Sequence, residues 1–229
     1  MTIPPNLIIN GISVALRRSE RTRRLILKLD PLAGPVLTMP PKASIADAKL
    51  FLERHHDWIT TRLALAPERV PFTTDAQIPL LGVPHPIRHA PLARRGVWLE
   101  DGALFVSGRP EHVPRRVGDF LKAETEKRVR PLAFDLSAKI GKTPTRITVR
   151  SLKSRWGSCS SAHDLSFSWR LILAPAPVLD YVVAHEVAHM AEMNHSPAFW
   201  LVVGELYPNF KEPRRWLKTH GADLFRYGA

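Results

Sequence analysis

Three histidines and a glutamate near the end of the chain have the types and spacing of a hydrolytic metal site. His185 and His189 are four residues apart, so on a helix they lie one turn apart on one face and can bind the same metal ion. Glu186 stands between them, where a carboxylate can act as general base on a metal-activated water. His195 follows six residues later, and a turn there would return it as a third ligand. Three protein ligands with one position left for water are typical of a catalytic Zn²⁺ site.

The same motif has a simpler interpretation, in which two helix histidines are satisfied by local hydrogen bonds. Two features of the sequence favour the metal site. The motif lies within an apolar helical pattern, and a third histidine, His195, follows it closely. We therefore predict Zn²⁺ as the cofactor, with His185, His189 and His195 as ligands and Glu186 as the catalytic base.

Composition places the chain among ordinary globular proteins. It has 229 residues, of which 45% are hydrophobic and 24% charged. A single cysteine, Cys159, excludes an internal disulfide and fits a reducing compartment. The first five residues have neither a basic region nor a long apolar run, so we expect no signal peptide. The apolar runs are too short to span a membrane, and the sequence predicts a cytoplasmic protein.

The net charge of +12 concerns the partners of the protein rather than its fold. Nucleic acid or another polyanion becomes a possible partner, although a basic surface can also be merely solvated. The densest cluster of positive charge lies early in the chain and comprises Arg17, Arg18, Arg21, Arg23, Arg24 and Lys28. The oligomeric state is not indicated by the sequence.

The first part of the chain, residues 1–110, predicts a small, mostly β module with one helix packed on it. Asn10-Gly11 and Asp101-Gly102 each separate short apolar runs, which is a strong hairpin signal. Ser44 and Asp47 have the spacing of a helix capping box, and helical periodicity then continues to Pro67. No internal repeat is evident.

Residues 111–229 predict the domain that carries the metal site. A long amphipathic helix runs from Pro114 to about Ile140 and is stopped by Gly141. Strands follow at 146–150 and 165–171, and the helix with the metal motif opens at Ala174-Pro175. Two further helices follow, from Ser196 to Tyr207 and from about Glu212 to His220.

The sequence resembles the YgjP-like family of zincin metallopeptidases, which is related to SprT. The resemblance covers roughly 65 residues and rests on several motifs in a fixed order. These motifs are Ser154-Arg155-Trp156-Gly157-Ser158-Cys159, Trp169-Arg170-Leu171-Ile172, Ala174-Pro175, the segment Asp180–His189, Asn194-His195-Ser196 and Phe199-Trp200. It implies an α+β fold whose zincin-like C-terminal domain combines a small antiparallel sheet with an active-site helix. It also implies that His185, His189 and His195 bind zinc and that Glu186 is the base.

The spacing of the three histidines is also that of metzincins, which have a glycine where this chain has Glu192. A glycine there would adopt a positive φ without steric cost, whereas Glu192 would not. We therefore expect the helix to continue to about Met193 before it turns. No methionine turn is evident downstream, so the sequence does not predict a metzincin.

Several other residues have candidate roles around the predicted site. Arg155, Trp156 and Tyr181 are predicted to bind substrate, and Arg155, Tyr181 or a backbone N–H could stabilise the oxyanion. Phe199 and Trp200 are expected to hold His195 in place. The residues less favoured as ligands, because each stands apart from the motif, are His55, His56, Cys159, His163 and His220.

The predicted function is zinc-dependent hydrolysis of peptide bonds in protein or peptide substrates. One alternative is a metal-dependent nucleoside triphosphate phosphohydrolase, although the chain has neither a Walker-type loop nor a carboxylate cluster for Mg²⁺. A second alternative, suggested by the relation to SprT, is a DNA-associated protease that acts on DNA-bound proteins. A third is a protein with a relict metal site, against which the intact Glu186 argues.

Overall fold

The computed structural model of the chain describes residues 6–30, 33–66, 68–152 and 154–228. They form two compact units, Met1–Glu68 and Arg69–Ala229. The fold is mixed α and β, with three sheets and six α-helices among the described residues. None of these helices is long and apolar enough to cross a membrane.

The first unit is a four-stranded sheet with two helices. Its strands are β1 (Asn6–Ile9), β2 (Ile12–Arg18), β3 (Ile26–Asp30) and β4 (Gly34–Met39), and its helices are α1 (Ile45–Arg54) and α2 (His56–Ala64). The strand order is β1-β2-β4-β3, with β2 and β4 parallel and the outer pairs antiparallel. One face of the sheet packs against both helices, and Leu37, Leu52 and Ile59 are buried between them.

The turn between β1 and β2 confirms the predicted hairpin. Asn10 and Gly11 both have positive φ, 47° and 80°, which is the backbone of a type I′ turn. Asn and Gly tolerate this conformation better than other residues, so the dipeptide fixes the register of the two strands. Ile9 pairs with Ile12 directly beside the turn.

The prediction of a single helix after Ser44 is wrong, because the structure has two helices there, α1 and α2. The capping box is present as predicted, with reciprocal hydrogen bonds between Ser44 and Asp47. The helix is interrupted at His55, whose φ of −106° and ψ of 15° leave the helical range. Its Nδ1 lies 2.8 Å from the carbonyl oxygen of Phe51 and competes with the backbone for that acceptor. The predicted stop, Pro67, lies outside the described residues.

The second unit begins with a sheet that repeats the topology of the first. Its strands are β5 (Gln77–Leu80), β6 (Val83–His89), β7 (Val97–Glu100) and β8 (Ala103–Val106). The order is β5-β6-β8-β7, again with a parallel central pair and antiparallel outer pairs. Leu81-Gly82 and Asp101-Gly102 form its tight turns with positive φ at each residue. The chain therefore contains one strand arrangement twice, although no repeat is evident in its sequence.

The boundary between the units lies earlier in the chain than the predicted one. The sequence predicts a boundary at 110/111, whereas the compact units meet between Glu68 and Arg69. The reason is packing: Ile78, Ile87 and Leu104 of the second sheet belong to the same apolar core as Leu121 and Val183 of the metal-site region.

The rest of the second unit is built around a long helix. Its elements are α3 (Val113–Lys139), β9 (Arg146–Arg150), β10 (Gly157–Cys159), β11 (Asp164–Ser168), α4 (Ala176–Ala188), α5 (Pro197–Leu206) and α6 (Lys211–His220). Short 3₁₀ helices occupy Pro110–His112, Trp169–Leu173 and Gly221–Arg226. Gly141 has a φ of 63° and follows α3 as predicted.

The small sheet beside α4 is mixed rather than antiparallel. Its order is β10-β11-β9, and β11 is antiparallel to β10 but parallel to β9. The difference arises because β10 pairs with the far edge of β11 instead of forming a hairpin with β9, the strand that precedes it. The predicted second strand also ends earlier, at Ser168, where a 3₁₀ helix begins.

Three contacts fix the position of α4. The bidentate ion pair of Arg128 with Asp180, at 2.7 to 3.1 Å, joins it to α3. The buried hydroxyl of Thr125 lies 2.9 Å from the carbonyl oxygen of Trp169, just upstream of the helix. The turn at Gly82 reaches Pro175 so closely that a Cβ on Gly82 would lie 3.1 Å from the Cα of the proline.

The approach of Gly82 to Pro175 predicts a stability difference between two glycine turns. Gly102→Ala should lower the free energy of unfolding by about 1 kcal/mol, the cost of a positive φ with open space around it. Gly82→Ala has the same backbone cost and also crowds Pro175, so we expect about 2–4 kcal/mol. Urea denaturation of both variants measures the difference. Equal losses would show that the contact with Pro175 contributes nothing.

Candidate metal centre and active-site cleft

The end of α4 differs from the predicted extension to Met193. The helix ends at Ala188, and the chain then forms consecutive tight turns. The N–H of Glu192 donates to the carbonyl oxygen of Ala188 at 3.0 Å, and that of Ala191 donates to the same oxygen. Glu192 is not among the residues with positive φ, so this turn needs no glycine. The turn returns the chain so that His195 faces the helix it has just left.

The three predicted ligands come together at this turn. Candidate ligand atoms of His185, His189 and His195 all lie within 4.8 Å of one another, and they form the metal-binding group found among the described residues. The Nε2 atoms of His185 and His195 are 3.1 Å apart. In a tetrahedral site with Zn–N distances of about 2.0–2.1 Å, two ligand nitrogens lie about 3.3 Å apart. The separation of this pair is close to the value that a shared zinc ion would require.

Hydrogen bonds set which nitrogen of each ring is free for a metal. Nδ1 of His189 lies 3.0 Å from the carbonyl oxygen of Glu192, and because a carbonyl only accepts, Nδ1 must donate. The lone pair of His189 is then on Nε2. Nδ1 of His185 lies 3.5 Å from the hydroxyl of Tyr181, one helical turn earlier. Partners of this kind orient metal-binding histidines.

The electrostatic environment favours the neutral form of His185 and His189, as metal binding requires. Burial, reinforced by His189, His195 and Arg214, lowers the pKa of His185 to about 3. Burial also lowers the pKa of His189, although its hydrogen bond to Glu192 acts in the opposite direction. At neutral pH His185 is therefore an imidazole with an available lone pair.

Aromatic side chains of α5 support the histidines, as the sequence predicts for Phe199 and Trp200. The ring of Phe199 is fully buried and lies 4.4 to 5.0 Å, centroid to centroid, from all three imidazoles. Trp200 stacks on His195 at 5.8 Å. The helix begins at Ser196, whose hydroxyl accepts from the N–H of Phe199, so the cap directly follows the third histidine.

Glu186 is buried against strand β10 rather than exposed beside the histidines. Its residue accessibility is 6%, and burial raises the pKa of its carboxyl to about 8, an effect that the positive charge of Arg155 reduces. Gly157 makes this position possible. A Cβ on Gly157 would lie 2.5 Å from Cγ and 2.6 Å from Oε1 of Glu186, closer than side-chain atoms approach each other.

The cleft beside the histidines has a volume of about 380 Å³. All three residues that the sequence predicts to bind substrate, Arg155, Trp156 and Tyr181, line it together with Glu186 and the histidines. Its wall on one side is β10, which within the described part of the chain is an edge strand paired with β11 alone. Burial raises the pKa of Tyr181 to about 12, so its hydroxyl remains protonated.

The histidines and cysteine that the sequence disfavours as ligands lie outside the histidine group. Cys159 lines the cleft, but burial, with help from Glu186 and Asp164, raises the pKa of its thiol to about 11. At neutral pH it is therefore a thiol rather than a thiolate ligand. Nδ1 of His220 lies 3.3 Å from the carbonyl oxygen of Trp216, one turn earlier on its own helix.

Two contributions to the cleft were not predicted from the sequence. Leu217 of α6 lines it, although α6 lies more than twenty residues beyond the metal motif. Gly221 lets Trp156 approach, since a Cβ there would be 3.2 Å from Nε1 of the indole. The positions of Leu217 and Gly221 depend on how the C-terminal segment folds back toward the start of β10. No local spacing in the sequence predicts this tertiary contact.

Comparisons with known proteins indicate the family of the chain. The YgjP-like metallopeptidase domain matches residues 23–220, which is most of the chain. No curated protein sequence gives a significant match. The crystal structure of the metallopeptidase zymogen of Pyrococcus abyssi abylysin is 22% identical, with 40% of this chain and 93% of that chain covered and a TM-score of 0.36. At that TM-score the two folds are not shown to be the same.

The match over residues 23–220 defines the class of the protein as a metal-dependent peptidase and therefore a hydrolase. The chain belongs to the YgjP-like metallopeptidase family. Membership of this family implies that the substrate is a peptide or protein and that the cofactor is a metal.

The contact between Gly157 and Glu186 predicts an effect on activity. In Gly157→Ala the new methyl group would displace the Glu186 carboxylate, and misplacement by about 1 Å can cost about a hundredfold in rate. We expect a loss of that size in peptidase activity with metal content unchanged. Gly118→Ala is the matched control, because nothing lies within 4 Å of the position that its methyl group would take. Full activity of Gly157→Ala would show that the close contact is not required.

Proposed function

We propose that the protein hydrolyses peptide bonds with Zn²⁺ held by His185, His189 and His195 and with Glu186 as the general base. The observation that carries this proposal is the convergence of three imidazoles beside a buried carboxylate in one cleft. Bound there, zinc would polarise the scissile carbonyl and lower the pKa of water.

The contribution of Glu186 follows from its burial. A carboxyl group whose pKa is raised to about 8 binds a proton more readily than an exposed one, so it can accept a proton and later deliver it to the leaving amine. Arg155 acts in the opposite direction and favours the ionised form from which the reaction must start. The two effects together place the base near neutral pH, where general bases are most effective.

The substrate is proposed to bind as an extended chain along β10. This strand is an edge, so its outer backbone groups can pair with a peptide added as another strand. Arg155 and Trp156 immediately precede it, and Tyr181 and Leu217 also line the cleft. A peptide held in this way would pass beside Glu186, because Gly157 at the start of β10 contacts that side chain.

Tyr181 is proposed to orient His185. When Nε2 of His185 binds the metal, Nδ1 carries the proton and can donate to the tyrosine hydroxyl 3.5 Å away. Tyr181 also lines the cleft, so its hydroxyl is a candidate for stabilising the oxyanion, as are Arg155 and a backbone N–H.

The role of Glu186 is tested by Glu186→Gln, which preserves shape and removes the base. We expect casein hydrolysis to fall by about 10²–10⁴-fold, the usual contribution of a general base, while zinc content stays equal to that of the wild type. Metal analysis and hydrolysis of labelled casein are measured on the same preparations. Nucleoside triphosphates form a third arm. Turnover of nucleotides without casein cleavage would contradict the peptidase proposal and favour the phosphohydrolase.

The role of His195 is tested separately by His195→Ala. Loss of one of three ligands should weaken zinc binding strongly, and the apo protein should remain folded because His195 is exposed. His112→Ala is a matched control, because His112 is exposed like His195, has an ordinary φ of −93° and is not in the histidine group. Competition with a chromophoric chelator measures the zinc dissociation constant. Unchanged zinc affinity in His195→Ala would remove this residue from the ligand set.

A further inference from the structure

The first unit carries a cluster of basic side chains that the proposed peptidase chemistry does not use. We define the arginine patch as the exposed residues Arg17, Arg21, Arg23, Arg24 and Lys28. They lie on β2, on β3 and on the connection between these strands. Among the described residues none of the five makes an ion pair with an acidic side chain, although Glu20 stands within the same segment.

The register of the sheet places part of the patch on its outer face. Arg17 is aligned with Thr38 of β4 and, through it, with Ile26 of β3. Lys28 of β3 is aligned with Val36 of β4 and, through it, with Ala15 of β2. Leu16, Leu27 and Leu37 point to the opposite face, where the helices pack. Alternation along the strands therefore directs Arg17 and Lys28 away from the core.

Arg18 is not part of the patch, although the sequence groups it with the others. It lies at the end of β2, and its guanidinium donates to the carbonyl oxygens of Pro40, Pro41 and Ala43. These bonds give Arg18 a structural role at the end of β4. The patch residues have no comparable role, because their side chains make no hydrogen bond within the described part of the chain.

The second sheet provides an internal comparison, since it has the same topology. Arg88, on the strand that corresponds to β2, pairs with Asp75. Arg95, on the connection to the next strand, lies 3.4 Å from Glu100 and stacks on Trp98 at 5.0 Å. Two of the three arginines in this second copy are therefore paired, whereas Arg94 and, within the described residues, all four arginines of the patch are not. Unpaired positive charges repel one another, so the patch is costly for folding unless a ligand uses it.

We propose that the arginine patch binds the sugar-phosphate backbone of nucleic acid without sequence preference. Arginine forks bind phosphate oxygens through two parallel hydrogen bonds, and four of the five patch residues are arginines. The segment from Arg17 to Lys28 has no aromatic side chain on which a base could stack and no amide side chain to read base edges, and its basic residues outnumber its single carboxylate, Glu20, so the phosphates are what it recognises.

A membrane surface fits the first unit less well. Binding in the lipid interface usually requires an amphipathic helix with a basic polar face and a large apolar face. The exposed side of α1 and α2 carries both signs of charge, including the pair of Lys49 with Glu53. The positive charge is instead on a sheet and its connection, which form a fixed array along which a phosphate chain can lie.

The test compares two double variants of the full-length protein with equal changes in net charge. Arg21→Gln/Arg24→Gln removes two patch charges, whereas Arg88→Gln/Arg95→Gln removes two arginines that are already paired. Binding to a labelled 20-base-pair DNA duplex is measured by fluorescence anisotropy from 50 to 300 mM salt. The patch variant should bind at least about tenfold more weakly at low salt, with the slope of log K against log salt reduced by about 2. The control variant should remain within about twofold of the wild type.

Three results would overturn the proposal. They are no binding of the wild type at 50 mM salt, equal losses in both double variants, and tighter binding to vesicles of anionic phospholipid than to DNA. Single-stranded DNA is included as a further probe, because a backbone site should bind it with a smaller salt slope. Casein hydrolysis and thermal unfolding of both variants are measured alongside. Since no patch residue lines the cleft, peptidase activity should be unchanged in the patch variant. A failure of the nucleic-acid proposal can therefore be distinguished from a failure of the peptidase proposal.

Discussion

The close packing of Glu186 on Gly157 is the constraint on which the rest of the site depends. A carboxylate can be buried at the cleft only if the neighbouring strand has no side chain at the point of contact. That contact requires β10 to lie directly along α4, and the paired β11 and the long helix α3 hold the two elements at this distance. The raised pKa of Glu186 is a consequence of the same packing, because burial is its main cause.

The metal centre depends on a second constraint, the early end of α4. A helix alone places His185 and His189 on one face. His195 can come back to them only if the helix ends close to His189. It stops at Ala188, and the turn that follows is tied to the site twice. Its backbone bonds to Ala188, and its carbonyl at Glu192 accepts the proton of His189. The turn therefore orients one candidate ligand, His189, and brings back another, His195.

Local signals in the sequence predicted the parts of this structure that depend on local physics. The spacing of His185 and His189, the capping box at Ser44 and the turn at Asn10-Gly11 are each decided within a few residues. The features that were missed depend on tertiary contacts. They include the helix break at His55, the mixed sheet, the helix end at Ala188 and the place of residues 69–110 in the second core. Gly157 belongs to a motif of the family resemblance, but its role follows from the side chain it faces, which only the tertiary structure determines.

The repeated sheet topology has a consequence for how the chain can evolve. Two sheets of one arrangement form from stretches with few residues in common, so the arrangement is specified by its tight turns and by the apolar rows that face its helices. The outer faces are then free to diverge without loss of the fold. One copy has become part of the core that carries the cleft, where further change is restricted by packing. The other sheet has a separate core, so substitutions on its surface leave the residues around the cleft unchanged.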